Sequence, residues 1–342
     1  MVYLETRAAG RDNNLNLIRM LAATAVLVSH AWPISQGVGT IEPLKALTGY
    51  TLGTLSVMVF FVISGFLITA SFQRTSSYTS FLLARGLRLL PGLLVNLIFV
   101  ALILAPIMTT LSIAAYFGGA EPYAFILRNM ALFPLVYELP GVLEEQPYPS
   151  IVGSIWTLRH EVMCYAGVFI AGVLGLWRTR SRAGLTLGIY GLVWAGIALT
   201  TPDLTGIVSG FVGLSLPFAI GIAFYVWRDR LPLSIIGVIA TAGLAWALAG
   251  SWAYPAALSL SVGYGTFWLS IYPVVRSAPI TGWAIIPMAS MSTPSPCRAG
   301  RPGLLGRKAR LKISSIPCPR QCCCRCCPGT VSYTHLTLPT KA

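Results

Sequence analysis

Long runs of apolar residues, separated by short polar segments, recur along the chain from Leu15 to about Trp283. Each run is close to the roughly 20 residues that an α-helix needs to cross the hydrocarbon core of a bilayer. The pattern predicts spans at about 15–32, 51–72, 87–108, 152–176, 184–200, 205–227, 232–249 and 254–274, with another starting near 280. We therefore predict an all-α, polytopic transmembrane helical bundle, with about nine spans present and about ten in an intact chain. No cleaved signal peptide is expected, because a further span rather than a small-residue cleavage site follows the first run.

The composition and the placement of charge agree with a membrane protein. Of the 342 residues, 55% are hydrophobic and only 10% are charged, whereas a soluble domain has about a quarter. The net charge of +14 is typical of nucleic-acid binding, but the basic residues fall in alternate connecting segments. One set of segments holds Arg7, Arg11, Arg74, Arg85, Arg88, Arg178, Arg180, Arg182, Arg228, Arg230 and Arg276, and the other holds only Lys45 and Arg128. By the positive-inside rule the N-terminus is inside, and lipid rather than nucleic acid is the expected partner.

The last part of the sequence has a different character. Beyond residue 276 there are Lys and Arg residues but no acid, and all but one of the eight cysteines lie there. Adjacent cysteines such as Cys322 to Cys324 cannot all turn towards one tetrahedral ion, so we predict no metal site. Codons read one base out of step would give a plausible membrane segment, and the final residues resemble sequencing-adapter read-through. We interpret 1–283 as the membrane domain, C-terminally incomplete, and 284–342 as a frameshifted, unstructured tail.

Two ionisable residues, Arg19 and His30, lie within the first span. Their separation corresponds to about 1,100° of helical rotation, so both face the same way, about 16 Å apart along the axis. Taken singly, Arg19 could anchor lipid headgroups and His30 could be an interfacial residue. The shared face favours a functional site.

Arg85 and Arg88 lie three residues apart on one helical face, at the inner start of the third span. Ordinary positive-inside anchoring explains them when they are considered alone. Together with Arg19 they would form an arginine cluster at the inner mouth of the bundle. Guanidinium groups bind phosphate oxygens in a bidentate manner, so the cluster is suited to a phosphate-bearing ligand.

The segment Trp156–Glu161 (WTLRHE) places Arg159, His160 and Glu161 next to one another. Neighbouring helical residues point about 100° apart, so these three cannot all face one site. Glu161 is the deepest and is either a functional residue or part of a structural salt bridge. Ser64, in the span that contains VFFVISGFLITASF, has no base in its own segment, and we assign Ser64-Gly65 to close helix packing.

Together these segments resemble the acyltransferase 3 family of integral membrane acyltransferases, over nearly all of residues 11–283. The resemblance rests on Arg19 with His30, on FFVISGFLIT (60–69), on Arg85 and Arg88 followed by Pro91, and on WTLRHE. The family usually begins its first span with a Leu-Asp-Gly type of stretch. Here Asn16 stands at the acidic position, so any role of that acid is absent.

The resemblance implies transfer of an acyl group, most often acetyl, from cytoplasmic acyl-coenzyme A (acyl-CoA) to a hydroxyl of a cell-surface carbohydrate or glycolipid. Acyl-CoA would be a co-substrate, with no permanently bound cofactor, and the bacterial inner membrane would be the location. Arg19, Arg85 and Arg88 would hold the donor's phosphates. His30 would be the general base, since imidazole changes protonation near neutral pH, and Glu161 would support it or position the acceptor. Direct transfer and a covalent intermediate both remain open.

Two other function classes fit the same features. A transporter of polyprenyl-linked or other amphipathic substrates could line its pathway with these charges, although we find no internal repeat. A non-catalytic membrane subunit is also possible, but an aligned charged face would be unexpected in one.

Overall fold

The protein is mostly helical in the computed structural model, which describes residues 2–4, 14–37, 40–75, 77–146, 148–201 and 204–271. In chain order the described helices are α1 (Leu15–Gln36), α2 (Pro43–Thr48), α3 (Leu52–Arg74), α4 (Tyr78–Phe99), α5 (Ala105–Met108), α6 (Ile113–Gly118), α7 (Glu121–Met130), α8 (Ile155–Val173), α9 (Arg180–Thr200), α10 (Gly206–Val226), α11 (Ile235–Ala247) and α12 (Tyr254–Ile271). A π-helical segment, Val100–Leu104, joins α4 to α5. Strands β1 (Val2–Tyr3) and β2 (Pro232–Leu233) pair antiparallel, a small addition to the all-α architecture that hydropathy predicts.

Five of the predicted spans are confirmed as helices long and apolar enough to cross a bilayer, judged by length and composition over the described residues. They are Leu15–Gln36, Leu52–Arg74, Tyr78–Met108, Arg180–Thr200 and Gly206–Val226. The predicted spans at about 152–176, 232–249 and 254–274 coincide with α8, α11 and α12. The total of about nine spans and the inside position of the N-terminus stay predictions. The span near 280 and the tail at 284–342 lie outside the described residues.

Helix α3 lies at the centre of the described bundle and packs against α1, α8, α10 and α12. It comes closest to α10, because each helix presents a glycine to the backbone of the other. A Cβ atom on Gly65 would lie 2.0 Å from the Phe218 carbonyl oxygen, and one on Gly221 would lie 2.1 Å from the Val62 carbonyl oxygen. The predicted packing role of Gly65 is therefore confirmed, and this contact fixes the position of the neighbouring Ser64.

The segment between α5 and α8, which lies between the predicted spans at about 87–108 and 152–176, contains structure of its own. Helices α6 and α7 pack over α4 and the π-helical segment, and their buried side chains form a separate hydrophobic cluster. Tyr116 donates a hydrogen bond to the Ala101 carbonyl (2.8 Å). The Asn129 side chain exchanges two hydrogen bonds with the backbone of Val136. This packing fixes the segment over one end of the bundle.

Candidate active site

His30 lies between two cavities at the end of the bundle covered by that segment. One cavity, of about 400 Å³, is also lined by Asn96, Tyr148 and Ser150. The other, of about 300 Å³, is bounded mainly by α1, α3 and the start of α8. The Ser150 hydroxyl is buried and makes no hydrogen bond within the described structure. His30 therefore faces partly open cavities lined by hydroxyl and amide groups, as a residue acting on a polar substrate requires.

A buried carboxylate fixes the helix that carries His30. Glu42 is only 4% exposed, and it accepts hydrogen bonds from the Ser29 hydroxyl (2.6 Å) and the Leu52 backbone N–H (2.8 Å). The first bond joins Glu42 to α1 one residue before His30, and the second joins it to the beginning of α3. Because Glu42 and Ser29 are both buried, Glu42 holds the imidazole-bearing turn of α1 in register with α3.

The three predicted phosphate-binding residues, Arg19, Arg85 and Arg88, come together in the structure. Arg88 is close enough to Arg19 and to Arg85 for their charges to repel each other. Arg85 donates a hydrogen bond to the Ser71 hydroxyl (3.3 Å) and lies over the Phe81 ring. The Nε–H groups of Arg19 and Arg85 are buried without a hydrogen-bond partner in the described structure. A cluster of mutually repelling guanidinium groups with unused donors is suited to a multiply charged anion.

Glu161 lies beside this arginine cluster. Its charge acts on Arg19 and on Arg85, and its Oε1 atom accepts hydrogen bonds from the Ser64 hydroxyl (3.2 Å) and from the Tyr165 hydroxyl. Among the described residues, neither a hydrogen bond nor an ion pair joins it to His30. No contact in the described structure therefore supports the sequence-based hypothesis that Glu161 acts directly on His30.

His160, the residue before Glu161 in the WTLRHE segment, points in a different direction from Glu161, as the helical rotation predicts. His160 is only 1% exposed, and its ring nitrogens contact the carbonyl oxygens of Trp156 (2.7 Å) and Ile207 (3.1 Å). A Cβ atom on Gly210 of α10 would lie 2.8 Å from the imidazole. His160 thus joins α8 to α10, away from the side of α8 on which Glu161 contacts α3.

Two cavities that share lining residues lie between Arg85 and His30. An apolar cavity of about 250 Å³ lies between α4 and α8, lined by Arg85, Tyr165, Leu93 and Leu158. Leu93 and Leu158 also line the cavity of about 400 Å³ that contains His30. Along its helix, Leu93 lies about 12 Å from Arg85, and we call these two neighbouring cavities the path from Arg85 to His30.

Two residues of this site, Ser64 and Tyr165, were missed by sequence reasoning. Ser64 was assigned to packing because its own segment offers no base. Its partner Glu161 lies on another helix, 97 residues away. Tyr165 could have been found, since it follows Glu161 by four residues and such pairs share a helical face.

Comparisons with known proteins give the following matches. A family model described as "Acyltransferase domain" (acyltransferase 3) matches residues 12–306. Nodulation protein 10 of Rhizobium leguminosarum bv. viciae is 31% identical over 181 residues, which are 52% of this chain and 48% of the relative. An O-acetyl transferase of Shigella phage Sf6 is 32% identical over 166 residues, 47% of this chain and 46% of the relative. The chain thus spans about half the length of these curated relatives. No solved structure gives a significant match.

Proposed function

Because the chain belongs to the acyltransferase 3 family, we propose that it is a multi-pass enzyme of the bacterial inner membrane that transfers an acyl group, acetyl in the first instance, from acyl-CoA to a hydroxyl group. The donor is held on the cytoplasmic side, and the acceptor is a carbohydrate or glycolipid of the cell envelope. The name of the phage relative, an O-acetyl transferase, supports the choice of acetyl and of an oxygen acceptor. The observation that carries the proposal is the path from Arg85, past Leu93 and Leu158, to His30.

The donor's phosphates are bound by Arg19, Arg85 and Arg88. The unused Nε–H groups of Arg19 and Arg85 supply charge-assisted hydrogen bonds, which are roughly twice as strong as neutral ones. The thioester end of the donor extends along the path towards His30. Glu161 lies with the arginines, and its role is to offset part of their positive charge.

Transfer takes place beside His30. The neutral imidazole accepts the proton of the acceptor hydroxyl while that oxygen attacks the thioester carbonyl carbon. The carbon–sulfur bond then breaks, and the thiolate of coenzyme A takes the proton back from the imidazolium. The products are an O-acyl ester and free coenzyme A, with no net change in the protein. Asn96, Tyr148 and Ser150 line the same cavity and supply polar groups for the acceptor.

Mass spectrometry of envelope glycans tests the function. A bacterial host that lacks an equivalent gene would be compared with the same host expressing this protein. We expect a glycan heavier by one acyl group in the expressing strain only, and release of free thiol when the purified protein is given acetyl-CoA together with that glycan. A transporter would move its substrate without releasing thiol, so unchanged glycan masses and no thiol release would contradict the proposal.

Narrowing the path between the two cavities should block transfer without weakening donor binding. Replacing Leu158 by tryptophan adds bulk at a residue that lines both cavities. We expect a fall of at least about tenfold in kcat, while the phosphate end of the donor still binds to the arginines. Thiol release and calorimetric binding of acetyl-CoA measure the two effects.

The matched control is Leu87→Trp, because Leu87 is 62% exposed and lines neither cavity. It should retain the activity of the unmodified protein. Equal activities of the Leu158→Trp and Leu87→Trp proteins would contradict the proposal that the donor passes Leu158 on its way to His30.

A further inference from the structure

Ser64, Glu161 and Tyr165 form a small polar cluster where α3 and α8 face each other. Ser64 is 3% exposed and Tyr165 is 5% exposed. Both hydroxyl groups donate to the same carboxylate oxygen, Oε1 of Glu161. Glu161 is half-buried. Burial of polar groups is costly unless they satisfy one another, so this arrangement calls for a physical reason.

The positions of the nearby charges supply that reason. Glu161 is close enough to Arg19 and Arg85 for its charge to act on both, yet no guanidinium group of the described chain forms an ion pair with it. In surroundings of low dielectric constant the attraction between opposite charges is strong. A carboxylate free to rotate would therefore turn towards an arginine and use the donor groups of that arginine.

Hydrogen bonds to a charged acceptor can resist this attraction. Each one is stronger than a bond between neutral groups, and both hydroxyls come from well-packed positions. Ser64 is next to Gly65, where α3 is in close contact with α10. Tyr165 packs in the hydrophobic cluster that contains Phe61 and Phe218. The two donors are thus held in place independently of the arginines.

We propose that Ser64 and Tyr165 are positioning residues that hold the Glu161 carboxylate away from Arg19 and Arg85. The carboxylate then reduces the repulsion within the arginine cluster, while the guanidinium groups keep their donors free for the phosphates of the acyl donor. This inference rests on the proposed function, because it assigns those phosphates to acyl-CoA. Ser64 and Tyr165 thus become part of the donor site. A negative charge can lie within a site for an anion because these two residues hold it away from the guanidinium groups.

Removal of the tyrosine hydroxyl is the first test. In Tyr165→Phe the carboxylate loses one of its two restraints and pairs with an arginine. We expect the Kd for coenzyme A, measured by calorimetry on the full chain in detergent, to rise about tenfold. Ser64→Ala should raise the Kd in the same direction and is a second variant if Tyr165→Phe does not fold.

A double variant separates this electrostatic effect from loss of packing. In Tyr165→Phe/Glu161→Gln the released side chain carries no charge and cannot form an ion pair. We expect the Kd for coenzyme A to return to within about threefold of the value for the unmodified protein. A merely structural role for the Tyr165 hydroxyl would leave the double variant at least as weak as the single one.

Tyr190 provides a matched control, because its hydroxyl is also hydrogen-bonded to a serine, Ser215 at 2.8 Å, but its bond joins α9 to α10. Tyr190→Phe should bind coenzyme A normally. Normal binding by Tyr165→Phe, or no recovery in the double variant, would overturn the inference. If the inference is overturned in this way but Arg85→Ala/Arg88→Ala fails to bind coenzyme A, the proposed function still stands. Failure of the unmodified protein to bind coenzyme A would overturn both.

Discussion

Replacement of His30 by alanine should lower the rate of acyl transfer by about 10²–10⁴-fold, the usual contribution of a general base. The affinity for acetyl-CoA should stay unchanged. His30 lines the cavity in which the path from the arginine cluster ends, and it makes no contact with that cluster in the described structure. Loss of the imidazole therefore removes the acceptor for the hydroxyl proton and leaves the phosphate site intact.

The measurement is thiol release and glycan acylation by purified His30→Ala protein, with calorimetric binding of acetyl-CoA to the same preparation. His30→Gln should be equally slow, because an amide of similar size cannot accept the proton. Ser35→Ala is the control on the same helix, since the Ser35 hydroxyl only donates to the backbone of α1. Near-normal transfer by His30→Ala would exclude His30 from the mechanism.

Removal of both Arg85 and Arg88 should weaken binding of acetyl-CoA by about a hundredfold or more. Each guanidinium group contributes charge-assisted hydrogen bonds to phosphate, and the loss of two such residues corresponds to several kcal/mol, on the order of 2–4. At saturating donor the rate of transfer should recover in part, because His30 remains in place. Arg85→Lys/Arg88→Lys should have an intermediate affinity, since lysine retains the charge but loses the bidentate geometry.

A control is needed because a general loss of positive charge could weaken binding of any anion. Arg178→Ala/Arg182→Ala removes the same charge from two exposed residues on the side predicted to be cytoplasmic. We expect less than about a threefold change in Kd for that variant, because exposed charges are screened by salt. Similar losses in both double variants would mean that the arginine cluster is not a specific site.

The sequence predicted the helices well, because an apolar run of about 20 residues has one stable structure in a bilayer. It placed the third span at 87–108, but the helix begins at Tyr78, so Arg85 and Arg88 lie within the helix rather than at its start. Helices α6 and α7 were not predicted; they lie between the predicted spans at about 87–108 and 152–176. Both helices are short, and short helices depend on packing, here against α4 and the π-helical segment.

The candidate site was only partly predictable, because hydropathy gives the order and depth of spans but not which helix faces which. The helical rotation correctly separated His160 from Glu161. It could not show that Glu161 faces Ser64, since that contact depends on the close packing of α3 on α10 through Gly65 and Gly221. The convergence of Arg19, Arg85 and Arg88 was a hypothesis at the level of sequence, and the structure places their charges within reach of one another.

The central claim is that the acyl donor extends from the arginine cluster to His30 through the two neighbouring cavities. Chemical labelling of Leu158→Cys with a small maleimide, quantified at position 158 by mass spectrometry, tests it most directly, because Leu158 lines both cavities. Acetyl-CoA at about ten times the Kd of the protein with intact arginines should slow labelling by about tenfold, and at the same concentration Arg85→Ala/Arg88→Ala in the same background should show almost no protection. Equal labelling with and without acetyl-CoA, by a protein shown to bind it, would contradict the account.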